Sequence, residues 1–237
     1  MHERYLQQAG WTADLRQHLF EQVGLEPAEQ VLEVGCGTGA VLLPGAQGAD
    51  IHLATLRWAR AKGLEQPLAA ADGHHLPYPA DSFDIVYCHF LLLWVAEPRR
   101  VLAEMVRVTR PGGAVLALAE PDYGGRLDHP EELEQLGALQ ADALEAQGAN
   151  PELGRQLPAL LRSVGLTQVQ AGVLGAEWSE TASEAEIGLE QATLRADLEG
   201  LISGDELEQL LAADRAAWAR RERVLYVPTF YAWGRAQ

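Results

Sequence analysis

Cysteine is scarce in this chain, and so are lysine, basic charge and long apolar runs. Two cysteines in 237 residues, Cys36 and Cys88, make no disulfide framework. In a reducing compartment both stay thiols. The single lysine, Lys62, falls in a predicted exposed helix, so a Schiff-base mechanism is set aside. No run of about 18 apolar residues exists, and no membrane span is expected. The start, Met1-His-Glu-Arg-Tyr5, has no apolar secretory segment, so the expected location is the cytoplasm. Eighteen Lys and Arg face 34 Asp and Glu, a formal net charge of −16. A nucleic-acid binder needs a basic face to neutralise phosphates, and a nucleic-acid partner is therefore not expected.

What is present is a core. Hydrophobic residues make up 48% of the chain, enough for one large α/β domain carrying a cap. The stretch Val31-Leu-Glu-Val-Gly-Cys-Gly-Thr-Gly-Ala40 carries the most information. Val31, Leu32 and Val34 are apolar and β-favouring, as a central parallel strand requires. Gly35, Gly37 and Gly39 follow at alternate positions, where glycine admits positive φ and the close approach of a ligand. A helix is expected to start just after, its free N–H groups pointing into the same crevice. This predicts a nucleotide-like cofactor at the carboxyl end of a strand. Gly35, Gly37 and Ala40 also fit the dinucleotide fingerprint, so an NAD-dependent oxidoreductase stays open.

Further elements follow from periodicity and turn signals. Residues 3–23 have helical spacing, and strand 1 covers about 30–34. A short helix after the glycine loop is broken by Pro44-Gly45. Strand 2 is expected near 50–54, a helix near 57–63, strand 3 near 67–71 and strand 4 over Phe83–Tyr87. A helix of about 97–109 stops at Arg110-Pro-Gly-Gly113, before strand 5 over Ala114–Ala119. Alternation of this kind implies a doubly wound parallel sheet. Helices are also expected over 130–148, 153–164, 182–201 and 205–222, strand 6 over about 166–176, and a final strand over Leu225–Trp233.

Three further stretches narrow the class: Asp72-Gly-His-His-Leu-Pro-Tyr-Pro79, Ser82-Phe-Asp-Ile-Val-Tyr87, and Val101 through Leu118 with its Arg110-Pro-Gly-Gly113 turn. In order and spacing they resemble the class I S-adenosylmethionine-dependent methyltransferases over about residues 28–123. More narrowly they look like the small-molecule branch that includes ubiquinone/menaquinone methyltransferases. The resemblance implies a Rossmann-like, seven-stranded, mainly parallel sheet with an antiparallel last strand and a helical cap. The whole chain is then one domain: a core of about 25–123, 153–178 and 224–237, with helical insertions at about 125–150 and 180–222. Cap elements in such a fold set substrate choice, by analogy.

The resemblance also assigns roles. Glu33, inside an apolar strand, organises the site for the methionine end of S-adenosylmethionine; its alternative is a loop-bracing acid. Gly35, Cys36, Gly37 and Gly39 form the cofactor loop. Asp72 accepts from the adenine amino group, with Gly73 and His74 beside it. The family usually grips the ribose hydroxyls with an acid at the end of strand 2. There Thr55, followed by Leu56, takes the position, and Asp50 comes about five residues early. Cys88 and His89 follow strand 4, where methyl and acceptor meet. His89 is a candidate general base, or else a histidine bracing a neighbouring loop. Tyr123, before a glycine pair, is placed to touch the substrate. Tyr5 and Trp11 are candidates to close over the cofactor, and Trp94 is a candidate substrate shelf. Trp178, Trp218, Tyr226, Phe230 and Tyr231 in the cap suit an apolar or aromatic acceptor.

The chain lacks the Asn/Asp-Pro-Pro-aromatic signature of enzymes that methylate adenine, cytosine-N4 or glutamine amides; its only asparagine is Asn150. The histidines His52, His74, His75 and His89 are not spaced as a metal set, and no metal is expected. The expectation is methyl transfer to a small molecule. The alternatives are a non-catalytic member of the same fold, favoured by Thr55, and the oxidoreductase.

Overall fold

The computed structural model describes residues 2–25, 28–176 and 182–237. Nine strands are found there: β1 (Val31–Val34), β2 (Gln47–Asp50), β3 (Leu68–Ala70), β4 (Phe83–Cys88), β5 (Thr109–Pro121), β6 (Leu127–His129), β7 (Thr167–Leu174), β8 (Val224–Tyr226) and β9 (Thr229–Arg235). The helices are α1 (His2–Trp11), α2 (Ala13–Val23), α3 (Leu53–Ala61), α4 (Pro98–Val108), α5 (Glu134–Ala146), α6 (Leu153–Ser163), α7 (Glu184–Leu198) and α8 (Gly204–Arg220).

Seven strands form one sheet in the order β3-β2-β1-β4-β5-β9-β7. The pairs from β3 through β5 are parallel, while β9 runs antiparallel to both β5 and β7. This is the doubly wound, mainly parallel sheet with an antiparallel last strand expected above. β1 and β4 are buried almost throughout, as strands covered on both faces must be. The chain leaves β1 towards one side of the sheet and β4 towards the other. A crevice therefore opens outside their carboxyl ends.

Three local departures from the sequence reading matter. First, no helix follows the glycine loop: residues 35–46 are turns and bends. Four residues separate Gly39 from the Pro44-Gly45 break, too few to repay helix nucleation. Leu42 is buried instead, and Val41 and Leu43 pack beside Leu19, Phe20 and Val23 of α2. The Tyr87 hydroxyl accepts from the Leu43 amide at 3.2 Å and lies 3.1 Å from the Val41 carbonyl, serving backbone groups that a helix would have paired.

Second, β2 ends at Asp50, so Ile51 to Ala54 are not strand, and α3 begins at Leu53. Third, the final strand is two. Val227-Pro228 separates β8, which pairs with β6 in a small second sheet, from β9 in the main one. The long N-terminal helix also divides at Thr12, which is 1% exposed. The helices α5, α7 and α8 pack on one another around Leu133, Leu136, Leu198, Leu210 and Ala217, forming a cap with its own small core.

Candidate active site

A cavity of about 650 Å³ lies in the crevice. Its floor is the glycine loop. Gly35, at φ 76°, takes a backbone conformation that strains any residue with a side chain, and a Cβ there would stand 2.7 Å from Leu91 Cδ1, which would have to shift. Gly37, at φ 51°, faces the Tyr5 ring of α1, which would lie 3.5 Å from a Cβ. Helix α1 is thus laid across the loop, and His2 Nδ1 meets Thr38 Oγ1 at 2.9 Å.

Asp50, at the end of β2, lines the cavity. Its Oδ2 accepts from the Gly37 amide at 2.8 Å and its Oδ1 from the His52 amide at 2.7 Å. A carboxylate offers about four acceptor sites, so Asp50 keeps some unspent. Thr55, by contrast, sits half-buried on α3 outside the cavity wall, and Leu56 is buried beneath the same helix. The strand-end acid is therefore Asp50, not Thr55. Without a helix after the glycine loop, β2 arrives about five residues earlier than the usual spacing.

Asp72 stands exposed just past β3. Its Oδ1 accepts from the His74 amide at 2.9 Å and lies 2.7 Å from His74 Nδ1, contacts that hold its carboxyl below the usual range. His74 Nε2 is buried and, among the described residues, has no hydrogen-bond partner, an orphaned polar atom beside the cavity. The loop that carries them is braced from α4: Glu104 accepts from the Leu76 amide, while Arg107 donates to the Leu76 and Tyr78 carbonyls. Asp84 accepts from the Glu29 and Gln30 amides and pairs with Arg110 at 2.7 Å. Those recognisable motif residues are thus frame, not site.

Glu33 is 1% exposed, and burial pushes its carboxyl up to about 8 against a hydrogen bond from Tyr87 at 3.2 Å and the field of Arg16. His89 also lines the cavity, with its Nε2 2.9 Å from the Thr12 hydroxyl. Burial, and then the charge of Arg16, hold its imidazole down to about 3. A histidine so engaged and so weakly basic is a poor proton acceptor near neutral pH. The geometry fits the bracing role: His89 ties the loop after β4 to the junction of α1 and α2. Burial raises the Tyr123 phenol to about 12, with Glu190 adding to the rise. Tyr123 thus stays protonated, a hydrogen-bond donor at the cavity wall.

Glu120, not singled out in the sequence, organises the opposite wall. It is fully buried, and its two oxygens accept from the Leu91, Leu92 and Leu93 amides at 2.9, 2.8 and 3.2 Å. Burial raises it to about 7 despite those bonds. It fixes the segment that presents Phe90, Leu91, Leu93 and Trp94 to the cavity.

Of the expected site residues, Glu33, Gly35, Cys36, Gly37, Asp72, Gly73, His74, His89 and Tyr123 line this one cavity. Gly39, Thr55, Leu56 and Cys88 do not. Gly39 backs onto Leu64, and Cys88 is buried in the sheet core. Tyr5 and Trp94 line the cavity, whereas Trp11 is 49% exposed with Arg4 over its ring. Phe230 and Tyr231 pack into the two cores, Trp218 and Tyr226 lie off the cavity, and Trp178 falls outside the described residues. The aromatic lining comes from Tyr5, Phe90, Trp94 and Tyr123. Among the described residues no group of three or more His, Cys, Asp or Glu is arranged to hold a metal, and no helix is long and apolar enough to cross a membrane.

Residues 32–117 match the family model of a methyltransferase domain. The demethylmenaquinone methyltransferase of Renibacterium salmoninarum is 35% identical over 123 residues, 48% of this chain and 52% of its own. A malonyl-[acyl-carrier protein] O-methyltransferase of Halorhodospira halophila is 36% identical over 129 residues, 48% of this chain and 43% of its own. The chain spans about half the length of the curated relatives it matches. A crystal structure from Anabaena variabilis, described as a methyltransferase from an antibiotic biosynthesis pathway, superposes over 92% of this chain and 95% of its own with a TM-score of 0.65 at 17% identity. The fold is thus that of class I methyltransferases. Over residues 32–117 the chain resembles a methyltransferase domain, and S-adenosylmethionine is the cofactor which that resemblance implies. The polar groups of the cavity suit that molecule, with unspent acceptor capacity on Asp50, an exposed Asp72 and the orphaned His74 Nε2.

Proposed function

We propose that the chain transfers the methyl group of S-adenosylmethionine to a small, largely apolar or aromatic molecule bound beneath the helical cap. The continuity of the cavity carries this reading. It runs from the strand-end acids and the glycine loop into a chamber walled by Phe90, Leu91, Leu93 and Trp94 and closed by Tyr123, Leu144 of α5 and Thr193 of α7. The relatives' names, among them demethylmenaquinone methyltransferases, support a small acceptor.

Asp50 binds the ribose hydroxyls, Asp72 and the Gly73-His74 backbone hold the adenine, and the loop from Gly35 to Gly37 with Glu33 receives the amino-acid end. The cofactor supplies a methyl already activated on a sulfonium. The chain's own task is to align the acceptor with it and to exclude water, a proximity effect. Tyr5 and α1 close the glycine-loop side. Tyr123 donates a hydrogen bond to the acceptor, and no residue in the chamber is required as a strong base. An acceptor that ionises, or a neutral amine, needs none.

Calorimetry of the purified chain with S-adenosylmethionine and S-adenosylhomocysteine, and NADH as control, tests this. Micromolar binding of either sulfur compound and none of NADH is expected. A folded, ligand-free protein that binds neither overturns the reading.

A further inference from the structure

One face of α7 points into the chamber. Glu190, Thr193 and Asp197 fall at i, i+3 and i+7, which share a helix face; Thr193 and Asp197 line the cavity. Glu33, Asp50 and Asp72 belong to its strand-end half. The charged side chains left on the acceptor side are Arg4 and Asp197. Arg4 is engaged through Nη1, which pairs with Glu190 at 2.8 Å and donates to Gln7 at 2.7 Å. Asp197 is held but not neutralised. Its Oδ2 accepts from Gln140 Nε2 of α5 at 2.7 Å, and among the described residues no cation pairs with it. Gln140 is itself 1% exposed and receives Arg126, so the carboxylate is fixed from behind through Oδ2, and among the described residues no hydrogen bond is found at its Oδ1. Tyr123 sits within the field of Glu190, Arg4, Arg126 and Asp197, which places these groups around the same volume. Arg4 pairs with Glu190 and Arg126 with Asp128, so Asp197 is the carboxylate there that has no ion-pair partner among the described residues.

We infer that Asp197 anchors a hydrogen-bond-donating group of the methyl acceptor, a hydroxyl or a protonated amine, and that the chamber rejects acceptors bearing a carboxylate or phosphate at that end. This rests on the methyl-transfer reading and narrows it. The donor bonds to Asp197 while the apolar body lies along Phe90, Leu93 and Trp94. An anionic end would meet the Asp197 carboxylate, which has no ion-pair partner among the described residues, and like charges repel.

The test uses the full chain saturated with S-adenosylhomocysteine and three matched probes: phenethylamine, 2-phenylethanol and 3-phenylpropionate. Calorimetry is expected to show the amine and the alcohol binding roughly tenfold or more tighter than the propionate, the scale of one charge-assisted hydrogen bond. Asp197→Asn keeps the shape and the Gln140 contact region, so S-adenosylhomocysteine affinity and Tm should hold while the preference for the amine collapses. Gln140→Leu, which frees the carboxylate to turn, should narrow the same gap. Equal binding of the three probes overturns the inference, as does binding of neither donor-bearing probe, or a preference that survives Asp197→Asn. Absence of S-adenosylhomocysteine binding to the unaltered chain is a separate result, and overturns the methyl-transfer reading beneath it.

Discussion

Replacing Asp50 by alanine removes the acceptor that our reading gives to the ribose hydroxyls, together with the partner of the Gly37 amide. Charge-assisted hydrogen bonds contribute roughly 1.5–3 kcal/mol each, so Asp50→Ala should weaken S-adenosylhomocysteine binding by about ten- to a hundredfold. Thr55→Ala, on a helix outside the cavity wall, should leave it unchanged. Calorimetry on both variants checks the pair, and equal losses would return Thr55 to the site. Glu33 makes a second prediction, in pH. Burial raises it to about 8 and Glu120 to about 7, whereas an unfolded glutamate releases its proton near 4.3. Between pH 6.5 and 8 the unfolded chain has released protons that the cofactor-free native state still holds. Unfolding free energy must then fall as pH rises. His89, held near 3, contributes the opposite slope only below about pH 6.5, outside this window. Tm should decline from pH 6.5 to 8, and Glu33→Gln should flatten the decline; an unchanged slope in that variant contradicts a protonated Glu33.

At the level of elements, the sequence disclosed what repeats or is buried and concealed what depends on neighbours. β1, β4 and the core of β5 are runs of Val, Leu, Ile and aromatic residues between turn signals, and α4 and α6 carry a clear helical period. β2 is Gln47-Gly-Ala-Asp50, without one β-branched residue. It is a strand because β1 and β3 flank it, and because its glycine fits where a Cβ would stand 2.7 Å from Cys36 Sγ. The more strand-like Ile51 and Leu53 beside it are exposed. That misplaced strand, with the unformed helix before it, put Thr55 rather than Asp50 at the expected strand end. The site was legible where a motif is contiguous, as in Glu33 to Gly37 and Asp72 to His74. It was hidden where a residue acts across the fold. Glu120 caps a loop 27 residues or more away, and Thr193 and Asp197 reach the cavity from a helix whose facing no local pattern fixes.

Across the whole molecule, the cap is joined by buried charge as well as by its apolar core. Arg126 pairs with Asp128 of β6 at 2.7 Å, and Arg223, just before β8, pairs with Asp128 at 2.6 Å and with Asp214 of α8 at 2.8 Å. These side chains are 1–3% exposed. Two cations and two carboxylates balance, so no isolated charge is left in the interior. Through Arg126 and Gln140 the same network reaches Asp197, linking the packing of the cap to the wall of the acceptor chamber. Removing Asp214 breaks the balance, because Arg223 and Arg126, which already share Asp128, are then left with that one carboxylate. Losing one partner of a buried pair costs about 3–5 kcal/mol, whereas exchanging the pair for apolar residues is often neutral. Asp214→Ala should therefore lower the unfolding free energy in urea by about that amount, with S-adenosylhomocysteine affinity at 25 °C within about twofold of the parent, since Asp214 lies off the cavity. Asp214→Leu combined with Arg223→Met should recover most of the loss. If the single variant were as stable as the parent, the network would be incidental to the cap, and its hold on Asp197 would have to come from Gln140 alone.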